Sequence, residues 1–309
     1  MTTKTQIPID LNEVFQNEYS EQQLRERKMN PILKTTIITA ATIVGVATSA
    51  LAGPLMDRIE SGETIRIGFS NEVPWAYPGN NNEPLGFANA HALGVLKSMG
   101  YENIESVVTE WGGLIPGLKA NRIDIITGGM YILESRCENI NFAEPLGVFG
   151  DAFLVAAGNP KGLETYVDIR DSGSIMVTGA GYNTIEAGKN EGLSDEQIMQ
   201  VPGPTEILAA LKAGRADAGA ASYFTLLGLA EESGGALEVS DPTALPDWTQ
   251  NWVGIGFDKA DTDFLEAFNA AQAEYLGSEQ MLADVGPFKY TRSQLPDESI
   301  TTEWVCANR

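Results

Sequence analysis

Hydrophobic and polar positions in this chain switch between a period of two and a period of about three and a half. Residues 54 to 63 read as a short amphipathic helix ending near Gly62. Thr64 to Phe69 (TIRIGF) places apolar side chains at every second position, which predicts a half-buried strand. The polar loop Asn71-Glu72-Val73-Pro74-Trp75 follows, and Asn80 to Pro84 predicts a turn. After Gly86-Phe87, the spacing of Leu93, Leu96 and Met99 predicts a helix that Gly100 stops. Ile104 to Thr109 predicts a second strand, with Glu110-Trp111-Gly112 as its loop. Leu114, Ile115 and Leu118 mark a helix. Ile123, Ile125, Ile126 and Thr127 predict a short buried strand, which Gly128-Gly129 is expected to end. Tyr131 and then Glu134-Ser135-Arg136 follow. Strand, helix, strand, helix, strand is the rhythm of an open α/β sheet, whose ligands lie outside the carboxyl ends of its strands. The loops at those ends carry Glu72 and Trp75, then Trp111, then Tyr131 and Arg136.

The rhythm resumes downstream. Phe142 to Gly150 leads into a new strand expected over Asp151 to Ala157. Tyr166 to Ile169 could open a helix, and Ser174 to Thr178 predicts a strand ending in the Gly-rich run Gly179 to Thr184. A helix expected from Thr184 would point its free N–H groups at that run, a natural seat for an anion. Met199 to Pro202 predicts a strand, Thr205 to Ala213 a helix with Gly214 as its stop, and Ala216 to Ala221 a small-residue strand. This second unit is expected to finish near Gly228. Leu237 to Asp247 reads as a loop, Trp252 to Phe257 as a strand, and Phe264 to Tyr275 as a long helix. Gly286-Pro287-Phe288 is expected to end the core, leaving Ser293 to Arg309 as a tail that holds Cys306.

Composition changes this picture in two places. With 309 residues, 43% of them hydrophobic, the chain can bury a sizeable core in one or two domains. A net charge of -22 argues against a nucleic-acid or anionic-membrane partner, since both need a basic surface. The N-terminus reads as an address. Residues 1 to 28 are a polar extension, Lys34 precedes an apolar run over Thr35 to Thr48, and Ala50-Leu51-Ala52 is a small-x-small cleavage site. Cleavage is expected after Ala52, with translation expected to start at Met29; an uncleaved membrane anchor is the alternative, which the Ala-x-Ala site disfavours. Export implies an oxidising compartment. The two cysteines, Cys137 and Cys306, permit one internal pairing; two unpaired buried thiols are the alternative.

Arg136, one turn past a Gly-rich strand end, is placed to hold a carboxylate with its planar fork; the plain alternative is a surface arginine. His91 is the lone histidine and is expected to be a solvated helix residue. No metal-ligand spacing is present, and no cofactor or metal is expected.

Several stretches resemble the polar-amino-acid family of extracellular solute-binding proteins from bacterial ABC importers. They include IRIGFSNEVPWAY, PLGFANAHALGVLKSMG, EWGGLIPGLKANRIDIITGGMYILESR, GAGYNTIEA and WVGIGFDKADTDFLEAFNAA, and together they cover nearly all of 57 to 290. The resemblance implies an α/β fold of the two-lobe periplasmic binding protein type (type II, Venus-flytrap) with two hinge crossings. By it, residues 53–149 plus 251–309 form one lobe and residues 150–250 the other, behind an extension and signal peptide over residues 1–52. It also implies a monomer that binds a small zwitterionic ligand and docks on ABC permease subunits in the inner membrane.

Within the family, the chain particularly resembles the ectoine/hydroxyectoine-binding members. They share the Asn-Glu-x-Pro-aromatic loop (71 to 75), the Glu-aromatic-Gly-x-x-Ile-Pro-Gly-Leu segment (110 to 118), the segment ending in Arg136-Cys137, and a late cysteine. Carried over by position, Glu72 meets the ligand's cation and Trp75, Trp111 and Tyr131 form an aromatic box. Gly129 offers backbone, Arg136 clamps the carboxylate and Asn183 contacts it from the second lobe. A Cys137–Cys306 disulfide is expected. Two departures from ordinary amino-acid binders stand out: Ser222 and Ala90 occupy positions where those usually carry an acid. An aromatic box suits a delocalised cation, such as the cyclic amidinium of ectoine, better than a compact ammonium. A polar amino acid or a betaine is the alternative ligand. A periplasmic dehydratase-like enzyme on the same fold is the alternative class.

Overall fold

The computed structural model of the protein describes residues 55–309. The expected N-terminal extension, signal peptide and cleavage after Ala52 fall on residues outside the described ones. Helix α1 (Leu55–Glu60) leads into strand β1 (Ile65–Phe69). A small hairpin, β2 (Tyr77–Pro78) and β3 (Pro84–Leu85), precedes α2 (Phe87–Ser98). Then come β4 (Ile104–Val108), α3 (Leu114–Lys119), β5 (Ile125–Tyr131) and the one-turn α4 (Glu134–Cys137). Strand β6 (Asn141–Phe142) is followed by the long β7 (Gly147–Ala156). The next elements are α5 (Tyr166–Ser172), β8 (Met176–Gly179), α6 (Asn183–Asn190), β9 (Ile198–Val201), α7 (Pro204–Lys212), β10 (Ala218–Ser222) and α8 (Tyr223–Glu232). Last are β11 (Leu237–Val239), β12 (Gln250–Phe257), α9 (Thr262–Tyr275), α10 (Glu279–Val285) and α11 (Thr302–Asn308).

The strands follow the order β4-β1-β5-β12-β7-β10-β8-β9. Parallel pairs β4-β1 and β1-β5 build one end, and parallel pairs β10-β8 and β8-β9 build the other. Two long antiparallel strands join them. Gly147 to Gly150 of β7 pair with Gln250 to Val253 of β12, and from Asp151 onward β7 pairs with β10 instead. Separate apolar cores follow. One holds Phe69, Phe87, Val95, Phe257, Phe264 and Phe268 around α2 and α9. Another holds Leu154, Val177, Ile207, Leu211 and Leu226 around α7 and α8. This is a two-lobe α/β fold.

Several expectations change. Gly128-Gly129 does not end the central strand. β5 runs on to Tyr131 because its far side pairs with β12: Val253 faces Tyr131 and Gly254 faces Met130. The register shifts between Gly254 and Gly256, so the glycines lie in a bulge rather than at a terminus. Asp151 does not begin a new strand; it continues β7. The tail and the stretch after Val285 are more structured than expected, since α11 packs back on α4, and α10 packs on α2 just before Gly286. Helix α8, unforeseen, occupies the point where the second unit was expected to finish.

His91 is not solvated. It is fully buried on α2, its Nε2 3.0 Å from Gln272 Oε1 of α9, and Gln272 Nε2 in turn donates to the Glu144 carbonyl. The buried face of α2 runs through Ala88, His91, Ala92, Val95 and Leu96, whereas Leu93 and Met99 sit at its half-buried margin. Small alanines make that face flat enough for α9 to pack closely, and the imidazole is carried inside with it.

Candidate functional site

Glu72, Trp75, Trp111, Gly129, Tyr131, Arg136 and Asn183 all line one cavity. Gly128, Tyr182 and Ser222 complete the wall. Four loops and strand ends deliver these residues, and each is held for a local reason.

The loop after β1 is closed by reciprocal backbone bonds between Glu72 and Ala76, which turn the Glu72 and Trp75 side chains toward the cavity. Glu72 is 7% exposed. Tyr182 Oη donates to its Oε2 at 2.6 Å and Thr225 Oγ1 donates to its Oε1 at 2.7 Å. Burial pushes the Glu72 carboxyl above the ordinary carboxylate range, and the two hydroxyl donors pull it back. Trp75 is both core and site. Its ring packs on Phe87 and Phe149 at centroid distances of 4.7 and 4.6 Å, and its Nε1 donates to Ser222 Oγ and Thr225 Oγ1 at 2.9 and 3.1 Å. Ser222 thus receives an indole N–H.

The bulge in β5 supplies bare backbone. Gly129 has φ +76°, and a Cβ there would fall 2.5 Å from Trp75 Cε3. Only glycine satisfies both constraints. Tyr131, at the end of β5, is 5% exposed and stands edge-on to Trp75 at 5.8 Å. Its hydroxyl, with Ser222 nearby, lacks a hydrogen-bond partner of good geometry. Burial first, and then the Asp151 and Glu72 charges, hold that phenol protonated well beyond its usual range.

Arg136 is 8% exposed on α4. Its Nη1 donates to the Tyr131 carbonyl at 2.8 Å and its Nη2 to the Gly181 carbonyl at 3.0 Å, while the guanidinium carbon lies 5.7 Å from the centroid of the Trp111 ring. Among the described residues it forms no ion pair with a carboxylate. Burial lowers its pKa to about 10, so it stays charged at neutral pH. Trp111 bonds to the same Gly181 carbonyl through Nε1 at 3.2 Å and meets Tyr182 edge-on at 5.6 Å. Asn183 opens α6 one residue earlier than the spacing indicated, and its Nδ2 donates to Asp151 Oδ2 at 2.5 Å. Directly after Arg136, Cys137 is joined to Cys306 in a disulfide with a Cα–Cα distance of 5.9 Å.

Tyr182, Thr225 and Asp151 are the contributors that pattern reading missed. Tyr182 and Thr225 stand 110 and 153 residues from the carboxylate they grip. No local spacing reports such pairs, although an aromatic directly after the Gly179-Ala180-Gly181 run was a signal available for Tyr182.

The arrangement can hold a solute with charges of both signs. It offers one buried carboxylate, one buried guanidinium and four aromatic side chains. It brings no histidine to the cavity, since His91 is engaged in the core.

The family model of bacterial extracellular solute-binding proteins, family 3, matches residues 65–282. The probable amino-acid ABC transporter periplasmic-binding protein y4tE of Sinorhizobium fredii is 32% identical over 278 residues, covering 87% of this chain and 92% of that protein. The crystal structure of EhuB in complex with hydroxyectoine is similar with a TM-score of 0.75 at 25% identity, covering 82% of this chain and 98% of EhuB. The ancestral amino acid-binding protein AncCDT-1, a precursor of cyclohexadienyl dehydratase, has a TM-score of 0.65 at 22% identity over 76% of this chain and 99% of its own, a likeness of fold. The two-lobe fold and a charged, aromatic-walled cavity are features of the class of periplasmic-type binding proteins. This chain belongs to the bacterial extracellular solute-binding proteins, family 3, and it binds a small solute.

Proposed function

We propose that this protein captures a small zwitterionic compatible solute, ectoine or hydroxyectoine, in the periplasm and delivers it to the permease of an ABC importer. One observation carries the reading. Arg136, buried and paired among the described residues with carbonyl oxygens, shares a cavity with the buried carboxylate of Glu72 and the rings of Trp75, Trp111, Tyr131 and Tyr182. A ligand carboxylate on Arg136 gains charge-assisted, paired hydrogen bonds. A delocalised cation beside Glu72 and the aromatic faces gains cation–π attraction that a hydrated ammonium exploits less well. Ser222 supports the choice, since its hydroxyl accepts the Trp75 N–H and leaves no acid there for an α-amino group. The likeness to EhuB, solved with hydroxyectoine, supports it as well. The relative from Sinorhizobium fredii, named for amino-acid transport, favours a polar amino acid as the second reading.

The lobes are read as residues 53–149 plus 251–309 and residues 150–250, with hinges near Gly147 to Gly150 and Pro246 to Trp252. The switch of β7 from β12 to β10 at Asp151 supports that division. Titration calorimetry on the exported protein tests the ligand. Ectoine or hydroxyectoine is expected to bind more tightly than arginine, glutamine or glycine betaine. An amino acid that binds while neither ectoine does would overturn the reading.

A further inference from the structure

Asp151 is the first residue of β7 past the point where that strand leaves β12 and joins β10, so it sits on the chain's crossing between the lobes. It is 2% exposed. Its Oδ2 accepts from Asn183 Nδ2 at 2.5 Å and from Asn251 Nδ2 at 3.3 Å. Asn251 lies on β12, the other crossing strand, and its Oδ1 accepts from Arg309 Nη2 at 2.8 Å. Among the described residues the remaining oxygen, Oδ1, has no partner, and Asp151 lines a second pocket that shares Asn183 with the ligand cavity. One carboxylate therefore ties both crossings to a residue of the ligand wall.

We propose that Asp151 is a positioning residue whose protonation is linked to ligand capture, so that a solute carboxylate docking at Arg136 and Asn183 draws one proton from solvent onto Asp151. This rests on the carboxylate-bearing ligand proposed above. Two effects act in the same direction. Ionised Asp151 engages an N–H of Asn183. Protonated Asp151 can donate to the Asn183 amide oxygen, which frees both amide N–H groups for the ligand. Arg136 and Arg309 are the cations that favour the Asp151 anion. A ligand carboxylate paired with Arg136 offsets that help and adds a like charge in a dry site. The other ionisable groups facing Asp151 leave the direction unchanged. Tyr131 and Tyr166 are buried neutral phenols, and Glu186, at the rim of the same second pocket, is a further anion. Burial places the Asp151 carboxyl at about 7, where periplasmic pH changes would be felt.

The test is calorimetry of ectoine, L-arginine and glycine betaine in buffers of different ionisation enthalpy, on wild type and Asp151→Asn, between about pH 6 and pH 8. Asparagine keeps an acceptor and fixes the neutral state. Whichever probe binds wild type is expected to take up a proton, and its affinity to fall by up to about tenfold per pH unit above the midpoint. Asp151→Asn should show neither effect. A non-ectoine binder with proton uptake overturns the ligand reading and supports this one. Binding without uptake, or equal uptake in Asp151→Asn, overturns it. Carbon-13 NMR titration of aspartate-labelled, ligand-free protein gives a separate readout. Absence of a carboxyl titrating near neutrality that Asp151→Asn removes would also overturn it.

Discussion

Arg136 holds its charge in a nearly dry place with two carbonyl oxygens as partners, and that fixes what its loss should do. Arg136→Ala leaves a ligand carboxylate desolvated and poorly paired, at a cost of about 2–5 kcal/mol as for other buried charge pairs. The loss should be alike for every carboxylate ligand. Trp111→Ala should cost about 0.5–2 kcal/mol and fall selectively on delocalised cations. Calorimetry on both variants separates the roles; a Trp111→Ala protein that binds as wild type does removes the aromatic wall from the account. Trp75 cannot be read so simply, because truncating it also opens a core hole beside Phe87 and Phe149. His91 makes a different prediction. Burial lowers its pKa to about 4, so the folded state prefers the neutral ring. The stability this preserves is fully present above the ordinary histidine value near 6.5 and is lost as pH falls toward 4. The linkage is worth about 3 kcal/mol. Urea unfolding of wild type and His91→Gln at about pH 7 and pH 4.5 checks it, and the acid-induced loss should shrink in the variant. An unchanged loss would assign it to other groups.

At the scale of elements, the bulge in β5 sets the site's geometry. Gly129→Ala puts a methyl 2.5 Å from the Trp75 ring at a φ of +76°, so backbone and indole must both shift. The left-handed backbone alone costs roughly 1–2 kcal/mol. At Gly128 the added methyl would meet Leu114 Cδ1 at 3.4 Å, an ordinary contact. Gly129→Ala should therefore lower the melting temperature and weaken binding, while Gly128→Ala does much less; equal effects would deny the bulge its role. The sequence showed the glycines and the strand but not the bulge, because a bulge depends on β12, more than a hundred residues away. The same limit explains the other misreadings. Helical spacing found α2 through its large side chains, yet its buried face is set by alanines and α9, so His91 looked solvated. Glu72, Trp75 and Trp111 were legible, since each follows closely on a strand end. The grip of Tyr182 and Thr225 on Glu72 was not, because it joins positions 110 and 153 residues apart. The disulfide works at this scale too. Its 169-residue separation makes it a long closure, worth up to about 5 kcal/mol in the chain-entropy view, and it fixes α11 to the turn that bears Arg136.

At the scale of the molecule, side chains from the two ends of the described sheet meet across the cavity. Glu72 receives Tyr182 and Thr225, Trp75 donates to Ser222 and Thr225, and Trp111 and Arg136 both reach the Gly181 carbonyl. On the hinged reading proposed above, these bonds exist only when the lobes meet. In an open form, water satisfies the same groups, so each bond contributes the difference between protein and water partners. For a bond to a charged group that is about 1.5–3 kcal/mol. Tyr182→Phe removes one such bond from the closed state and nothing comparable from the open one. Ligand affinity scales with the closed fraction, so the variant should bind about tenfold or more weakly although the phenyl ring still walls the cavity. Solution scattering supplies the second arm. Wild type should show a smaller radius of gyration at saturating ligand than without it, as hinge closure requires. Tyr182→Phe should need more ligand to reach the same compact radius. If wild type keeps one radius with and without ligand, the crossings are not hinges. If Tyr182→Phe closes and binds as wild type does, the hydroxyl on Glu72 is not what holds the lobes together.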